Sequence, residues 1–360
     1  AASICAEGSA QPMVADHLHL SPDDNHLARL SRNALMSALR DPCRAATSIG
    51  VSGRLALADD AKSFEQQRVM LDRLDLPAEY ACLLDADAAS DRAGVRLRTG
   101  GIWLPLCRNV DPRMRCREWL DAHAARTEVR LGVAVARIAR CDGLWTLFDT
   151  RGGVLDAAPV LVLAAAGSVP MLGGLSAVDL RRVRGQTTRL ARAALPGLRA
   201  VLGADAYACP LPDGDVLVGS TFDDGDDLEP DPQADLSNLR RLARATGAAV
   251  DEYLPHARSA ASGFRFTAPD RLPLIGPVPD STAIVARAAD FARNDRLALP
   301  MLPGLYAASA FGSRGMLWSS LAAEVLAADI DGGPASLESD LLDAIAPVRF
   351  LRKRLRRHAG

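Results

Sequence analysis

The chain has 360 residues, a formal net charge of −2, 49% hydrophobic and 24% charged residues, the composition of an ordinary globular protein of about two domains. This balance excludes a uniformly basic nucleic-acid binder and a disordered chain, and no apolar run reaches the about 20 residues that a membrane span needs. The start, "AASICAEGSAQP", is neither basic nor apolar enough for a secretory signal, so a cytoplasmic protein without membrane partners is expected. Its seven cysteines, Cys5, Cys43, Cys82, Cys107, Cys116, Cys141 and Cys209, are scattered and form no C-x-x-C pair, which reads as reduced thiols in or near the core rather than a disulfide framework or a zinc site.

In chain order, Asp23 to Arg40 places Leu27, Leu30, Leu35 and Leu39 close to helical spacing behind two acidic starters. Ser63 to Leu76 reads as a second helix, stopped by Pro77, and "VRLRTGGIWLP" as strands around a Gly100-Gly101 turn. Asp111 followed by Pro112 is an N-cap with proline at the first helical position. From Val129 to Gly167 short apolar or alternating runs predict strands, the last of them "PVLVLAAAG". That run suits a central strand of a parallel sheet, and its small-residue end would let another group approach the backbone at Gly167; an ordinary core strand fits equally.

Strands are predicted at "GQTTRL" and "VLVGSTF", a helix from Leu236 to Tyr253, and no regular helix in the proline-rich "GFRFTAPDRLPLIGPVPD". The stretch from Leu305 to Ile330 predicts an apolar strand, a Gly-Ser-Arg-Gly loop and a long apolar helix. A helix start exposes unpaired N–H groups and positive dipole, so this junction is either an anion site or a plain strand-helix turn. Two charged runs stand out: the acidic Asp223 to Asp231, and Arg349 to His358, with six cationic side chains in ten residues. The latter is either a phosphate contact or a solvated helix face.

The ordered segments "AAAGSVP", "VRGQTT", "VLVGSTF", "GFRFTAPDRLPLIGPVPD", "GLYAASAFGSRGMLWSSLAAEVLA" and "LLDAIAPVRFLRKRLRR" resemble the FAD-dependent oxidoreductase domain of the bifunctional tRNA 5-methylaminomethyl-2-thiouridine biosynthesis family, within the D-amino-acid oxidase and glycine oxidase superfamily. The resemblance runs from about Gly8 to the C-terminus and is most specific over the last hundred residues. It implies an α/β fold with an α+β substrate domain, a discontinuous Rossmann-type FAD domain, and FAD as cofactor. It further implies oxidation of a tRNA wobble uridine carrying a carboxymethylaminomethyl group. The glycine methylene gives up hydride, the imine hydrolyses, and glyoxylate leaves an aminomethyl uridine, which a fused or separate SAM-dependent methyltransferase domain then methylates.

By that resemblance Arg265 and Arg314 would hold the substrate carboxylate, a task that suits a guanidinium fork. Gly167, Gly312, Ser313, Arg314, Gly315 and Met316 would line the flavin, the helix dipole stabilising the charge that builds on its pyrimidine edge. Arg352, Lys353, Arg354, Arg356 and Arg357 would contact tRNA. The implied FAD domain comprises 1–45, 106–184 and 300–345, the substrate domain 46–105 and 185–299, and 346–360 forms a basic C-terminal tail.

The chain departs from the family in two places. No two glycines are two positions apart, so the G-x-G-x-x-G turn that seats the pyrophosphate is missing. The chain starts where that βαβ unit should have ended, which predicts an N-terminally truncated chain, a fragment that is inactive where it fails to hold FAD. Moreover, Cys107, Arg108 and Asn109 replace an expected Gly-Gly-Trp. Two other functions stay open: oxidation of a free small amine or amino acid, as in glycine or sarcosine oxidases, and a non-catalytic remnant that binds RNA.

Overall fold

A computed structural model describes residues 3–41, 48–203, 207–294 and 297–358. The first half of the chain runs β1 (Val14–Ala15), α1 (His26–Arg40), β2 (Ser48–Leu57), α2 (Ala61–Leu74), β3 (Cys82–Leu84), α3 (Ala86–Ala93), β4 (Gly101–Val110) and α4 (Pro112–Ala122). There follow β5 (Arg137–Cys141), β6 (Leu144–Phe148), β7 (Val154–Ala158), β8 (Leu161–Leu163), β9 (Arg181–Leu190), β10 (Val201–Gly203), β11 (Tyr207–Pro210) and β12 (Val216–Gly219). The last part holds α5 (Pro232–Thr246), β13 (Ala257–Thr267), β14 (Leu274–Pro279), β15 (Met301–Ser309), α6 (Gly315–Asp331) and α7 (Arg349–His358).

The chain divides into two compact units, each built from separated segments. One comprises Ile4–Glu128 and Val183–Phe264; the other comprises Ala1–Ser3, Val129–Arg182 and Arg265–Gly360. The expected domain limits and these units cut the chain at different places. No helix among the described residues is long and apolar enough to cross a membrane. Six described cysteines are free, with Cys107 and Cys209 buried and Cys141 exposed; Cys43 lies outside the described residues.

The Ile4–Glu128 and Val183–Phe264 unit is organised on a nine-stranded sheet of order β1-β4-β2-β10-β11-β12-β9-β13, with β3 also on β4. β10 runs parallel to β2, whereas β4, β11 and β12 pair antiparallel with their neighbours. Its core gathers Leu55, Trp103, Leu190, Leu202, Val218, Leu239 and Tyr253. Helix starts follow cap chemistry: Asn25 accepts from the Ala28 N–H, Asp60 and Ser63 form a capping box, and Asp111 accepts from Arg113 and Met114 ahead of Pro112.

Two expectations need correction here. Gly100-Gly101 is no hairpin turn, because Gly101 already lies inside the ladder, paired with Leu57 and Leu84; the "VRLR" stretch before it is not a strand. The predicted helix from Leu236 to Tyr253 starts earlier, at Pro232 behind the Asp231 cap, and breaks at left-handed Gly247. A short second helix, Val250–Tyr253, follows.

Buried charge shapes this unit. Arg184, nearly inaccessible, donates to the Asp227 and Glu229 carbonyls, and Gln186 donates to the Asp231 carbonyl, so the acidic run is a loop tied to the sheet. Asp215, 4% exposed, receives the Arg189 Nε at 2.8 Å, an Arg258 nitrogen at 3.2 Å and the Arg192 N–H. Burial alone would raise its pKa, but Arg189 and the Arg192 N–H more than offset that and hold the carboxyl below its usual value. A depressed folded pKa gives stability that is present above the unfolded pKa and lost as pH falls through the folded one. Asp215→Asn should therefore cost about 1.5–3 kcal/mol at neutral pH, and the gap to wild type should close below about pH 4. Urea unfolding across pH 3–7 checks this; a gap independent of pH would contradict it.

The other unit contains two three-stranded sheets, β14-β15-β8 and β5-β6-β7. β8 pairs parallel with β15 through Leu161↔Leu305 and Leu163↔Ala307. The apolar run "PVLVL" is thus in a parallel pair, but at a sheet edge among the described strands, with Val160 and Val162 exposed, not central and covered on both faces as expected. Trp145, Leu163, Val169, Leu274, Leu305 and Ala310 form one core. The long helix α6 is mostly apolar; Leu317, Trp318, Leu321, Val325 and Leu326 are buried along it, whereas Ala323, Ala327, Asp329 and Ile330 are exposed.

Candidate active site

β15 delivers the chain to Phe311, and Gly312–Arg314 form one tight turn before α6 begins at Gly315. The turn closes through the Arg314 N–H donating to the Phe311 carbonyl at 3.0 Å. Ala310 and Gly312 both take left-handed backbone, φ 59° and 55°, which swings the chain sharply off the strand. Glycine at 312 is also required by space, since a Cβ there would stand 2.9 Å from Thr267 Cγ2. No side chain caps α6 and its first turn holds no acidic residue. A Cβ built on Gly315 meets nothing within 4 Å, so the backbone at this positive helix end is open to approach.

Three distant segments are stitched together at this turn. Thr267, at the end of β13, forms an antiparallel bridge with Phe311, which lays the strand end carrying Arg265 beside the loop carrying Arg314. The Phe266 ring packs over Gly167, whose Cβ would lie only 2.2 Å from the ring. The Ser309 hydroxyl, buried at the end of β15, donates to the Ala166 carbonyl at 2.7 Å. The group that approaches the Gly167 backbone is therefore Phe266 of this same chain.

Arg265, Gly167 and Gly312 to Met316 accordingly belong to one locality of one unit. Arg265 and Arg314 are half-buried, and Ser313 is exposed. Sequence reasoning missed Phe266, Thr267 and Ser309, the residues that hold the segments together; the "AAAG" end signalled a close approach without saying by what. Two arginine-bearing segments thus lie side by side next to a helix N-terminus, and guanidinium forks and helix-start N–H groups are the group types that bind carboxylates and other anions.

The basic run folds as α7 and is not a loose tail. Leu351 and Leu355 turn inward to a core with Ile284, Phe291, Leu299 and Val348. Arg349 is anchored to Asp270 at 2.8 and 3.0 Å, and Arg352 lies 3.5 Å from Asp343. Lys353, Arg354 and Arg356 are exposed, whereas the Arg357 side chain lies outside the described residues. Asp343, Arg349, Arg352, Lys353 and Arg356 line an open cleft of about 600 Å³.

The sequence profile of the family described as FAD dependent oxidoreductase matches residues 5–329. The chain belongs to the FAD-dependent oxidoreductase family. Among its relatives, the tRNA 5-methylaminomethyl-2-thiouridine biosynthesis bifunctional protein MnmC of Burkholderia orbicola is 38% identical over 364 residues, covering 98% of this chain and 56% of that protein. The protein of the same name from Ralstonia nicotianae is 40% identical over 372 residues with the same coverage. The chain thus spans little more than half the length of the curated relatives it matches. Glycine oxidase from Geobacillus kaustophilus superposes with a TM-score of 0.74 at 22% identity, over 96% of this chain and 88% of that one. The mixed α/β architecture is accordingly that of the D-amino-acid-oxidase type.

FAD is the family's cofactor, and the residues present fit one end of it. The uncapped α6 start, open at Gly315, suits the electron-rich edge of a flavin ring. The G-x-G-x-x-G turn for a dinucleotide pyrophosphate is not among the 360 residues.

Proposed function

We propose that the chain is the oxidase portion of an FAD-dependent tRNA-modifying enzyme acting on a CH–NH group. Its substrate is 5-carboxymethylaminomethyl(-2-thio)uridine at the tRNA wobble position, from which it removes the carboxymethyl group to leave the aminomethyl nucleoside. The relatives' shared name supports the tRNA substrate. The observation that carries the site is the Thr267 to Phe311 bridge, which sets the Arg265 strand end beside the Arg314 loop. When bound, FAD supplies the hydride acceptor.

The chain's own residues do the positioning. Arg265 and Arg314 hold the glycine-like carboxylate so that its methylene is presented in one orientation. Gly312 to Met316 give backbone N–H groups and helix dipole to the ring edge. Arg352, Lys353, Arg354, Arg356 and Arg357 on α7 hold the tRNA backbone, with Leu351 and Leu355 keeping that helix seated. The methyl group of the mature nucleoside comes from a SAM-dependent methyltransferase domain, fused or separate, in the cytoplasm.

The test is to supply the protein with FAD and with tRNA carrying the carboxymethylaminomethyl nucleoside, then follow nucleosides by mass spectrometry. Accumulation of the aminomethyl nucleoside is the expected result. Turnover of free glycine or sarcosine in its place would establish the small-amine alternative, and tRNA binding without bound FAD or turnover would establish the RNA-binding remnant. A second expectation concerns α7: exchanging its five named cations for Gln should flatten the log–log salt dependence of tRNA binding by about 0.7–0.9 for each phosphate that is no longer neutralised. An unchanged slope in filter-binding titrations would remove α7 from the RNA-binding surface.

A further inference from the structure

The Cys5 thiol donates toward Cys116 Sγ at 2.9 Å and toward the Pro112 carbonyl at 3.2 Å. Pro112 and Cys116 are four residues apart on α4, so they share a helix face, and Cys5 is seated between them from 111 positions away. Both cysteines are half-buried rather than sealed in the core, which leaves the pair near enough to solvent for a small oxidant to be tested on it. The separation exceeds an S–S bond of about 2.05 Å by less than an ångström. We propose that Cys5 and Cys116 are a redox-active dithiol that closes to a disulfide when the protein meets a hydroperoxide.

The steps balance with hydrogen peroxide as oxidant. Cys116 Sγ, which accepts the Cys5 hydrogen bond, attacks one peroxide oxygen; the O–O bond breaks, the departing oxygen takes up the Cys116 thiol proton and leaves as water, and Cys116 becomes a sulfenic acid. Cys5 Sγ then attacks Cys116 Sγ, the S–O bond breaks, and a second water leaves carrying the Cys5 proton. Two thiols are oxidised by two electrons and one peroxide is reduced to two waters. Burial and the neighbouring Cys116 push the Cys5 thiol up to about 12, which disfavours Cys5 as the thiolate that first meets the peroxide.

The bond would pin the N-terminal segment. Three residues beyond Cys5, Gly8 packs on the Phe264 carbonyl, where a Cβ would stand 2.4 Å away, and Phe264 immediately precedes Arg265 in β13. Closing so long a loop restricts the unfolded chain, so the oxidised form should melt at a higher temperature and resist proteolysis near residues 4–10.

The experiment is peroxide treatment of the purified protein, alkylation, and non-reducing peptide mapping. A dithiothreitol-sensitive peptide pair joining Cys5 to Cys116 is expected, with exposed Cys141 as the reference for peroxide access; Cys5→Ser and Cys116→Ser should each abolish the pair and the rise in melting temperature. Full alkylation of both thiols after peroxide, a disulfide using another cysteine, or overoxidation of either without a cross-link would overturn the proposal. Mapping on the unmutated protein decides it even if a serine variant fails to fold.

Discussion

Arg314→Met in the full-length, FAD-loaded protein should lower kcat/KM for the N-carboxymethyl nucleoside by about 10²–10³-fold, equivalent to about 3–4 kcal/mol of transition-state stabilisation. The size follows from what is removed. A carboxylate held by a guanidinium fork in a partly desolvated place loses two charge-assisted hydrogen bonds and one of its two counter-charges, with Arg265 alone remaining. Arg265→Met should have a comparable effect, because the Thr267 to Phe311 bridge places its strand end beside the same loop. Arg314→Lys should recover only part of the loss, since an ammonium offers a point charge and not a planar fork. The flavin absorption spectrum should change little in either Met variant, which separates a carboxylate role from loss of cofactor. Unchanged turnover in steady-state assays would take the substituted arginine out of substrate binding.

Local signals carried much of the fold. Asp111-Pro112 started α4 where cap chemistry placed it, and the apolar strand, glycine loop and apolar helix of the final block appear as β15, the 312–314 turn and α6. What failed was anything set by partners distant in the chain. Gly101 looked like a turn because two adjacent glycines usually are one, yet its place is decided by Leu57 and Leu84 on either side. The exposure of β8 depends on which strands flank it, and no local pattern reports that. The candidate site divides in the same way. Its glycines and arginines were legible as residue types in family-like segments, whereas Phe266 over Gly167 and Ser309 on Ala166 are contacts across about a hundred residues or more, visible only after folding.

The same dependence on distant packing makes Trp318 the residue whose loss should most damage the loop without touching it. Trp318 is 1% exposed and among the largest fully buried side chains. It lies three residues after Gly315, within the first turns of α6, so burying its indole ties the start of that helix into the protein interior. Trp318→Ala should cost about 3–5 kcal/mol, the transfer energy of an indole plus the cavity it leaves, read as a lower urea midpoint at unchanged slope. Met171→Ala, at a side chain 70% exposed, should stay within about 0.5 kcal/mol of wild type. A Trp318→Ala loss no larger than that of Met171→Ala would mean that α6 is held by its aliphatic face alone. The loop geometry would then be set by the Thr267 bridge and not by the helix behind it.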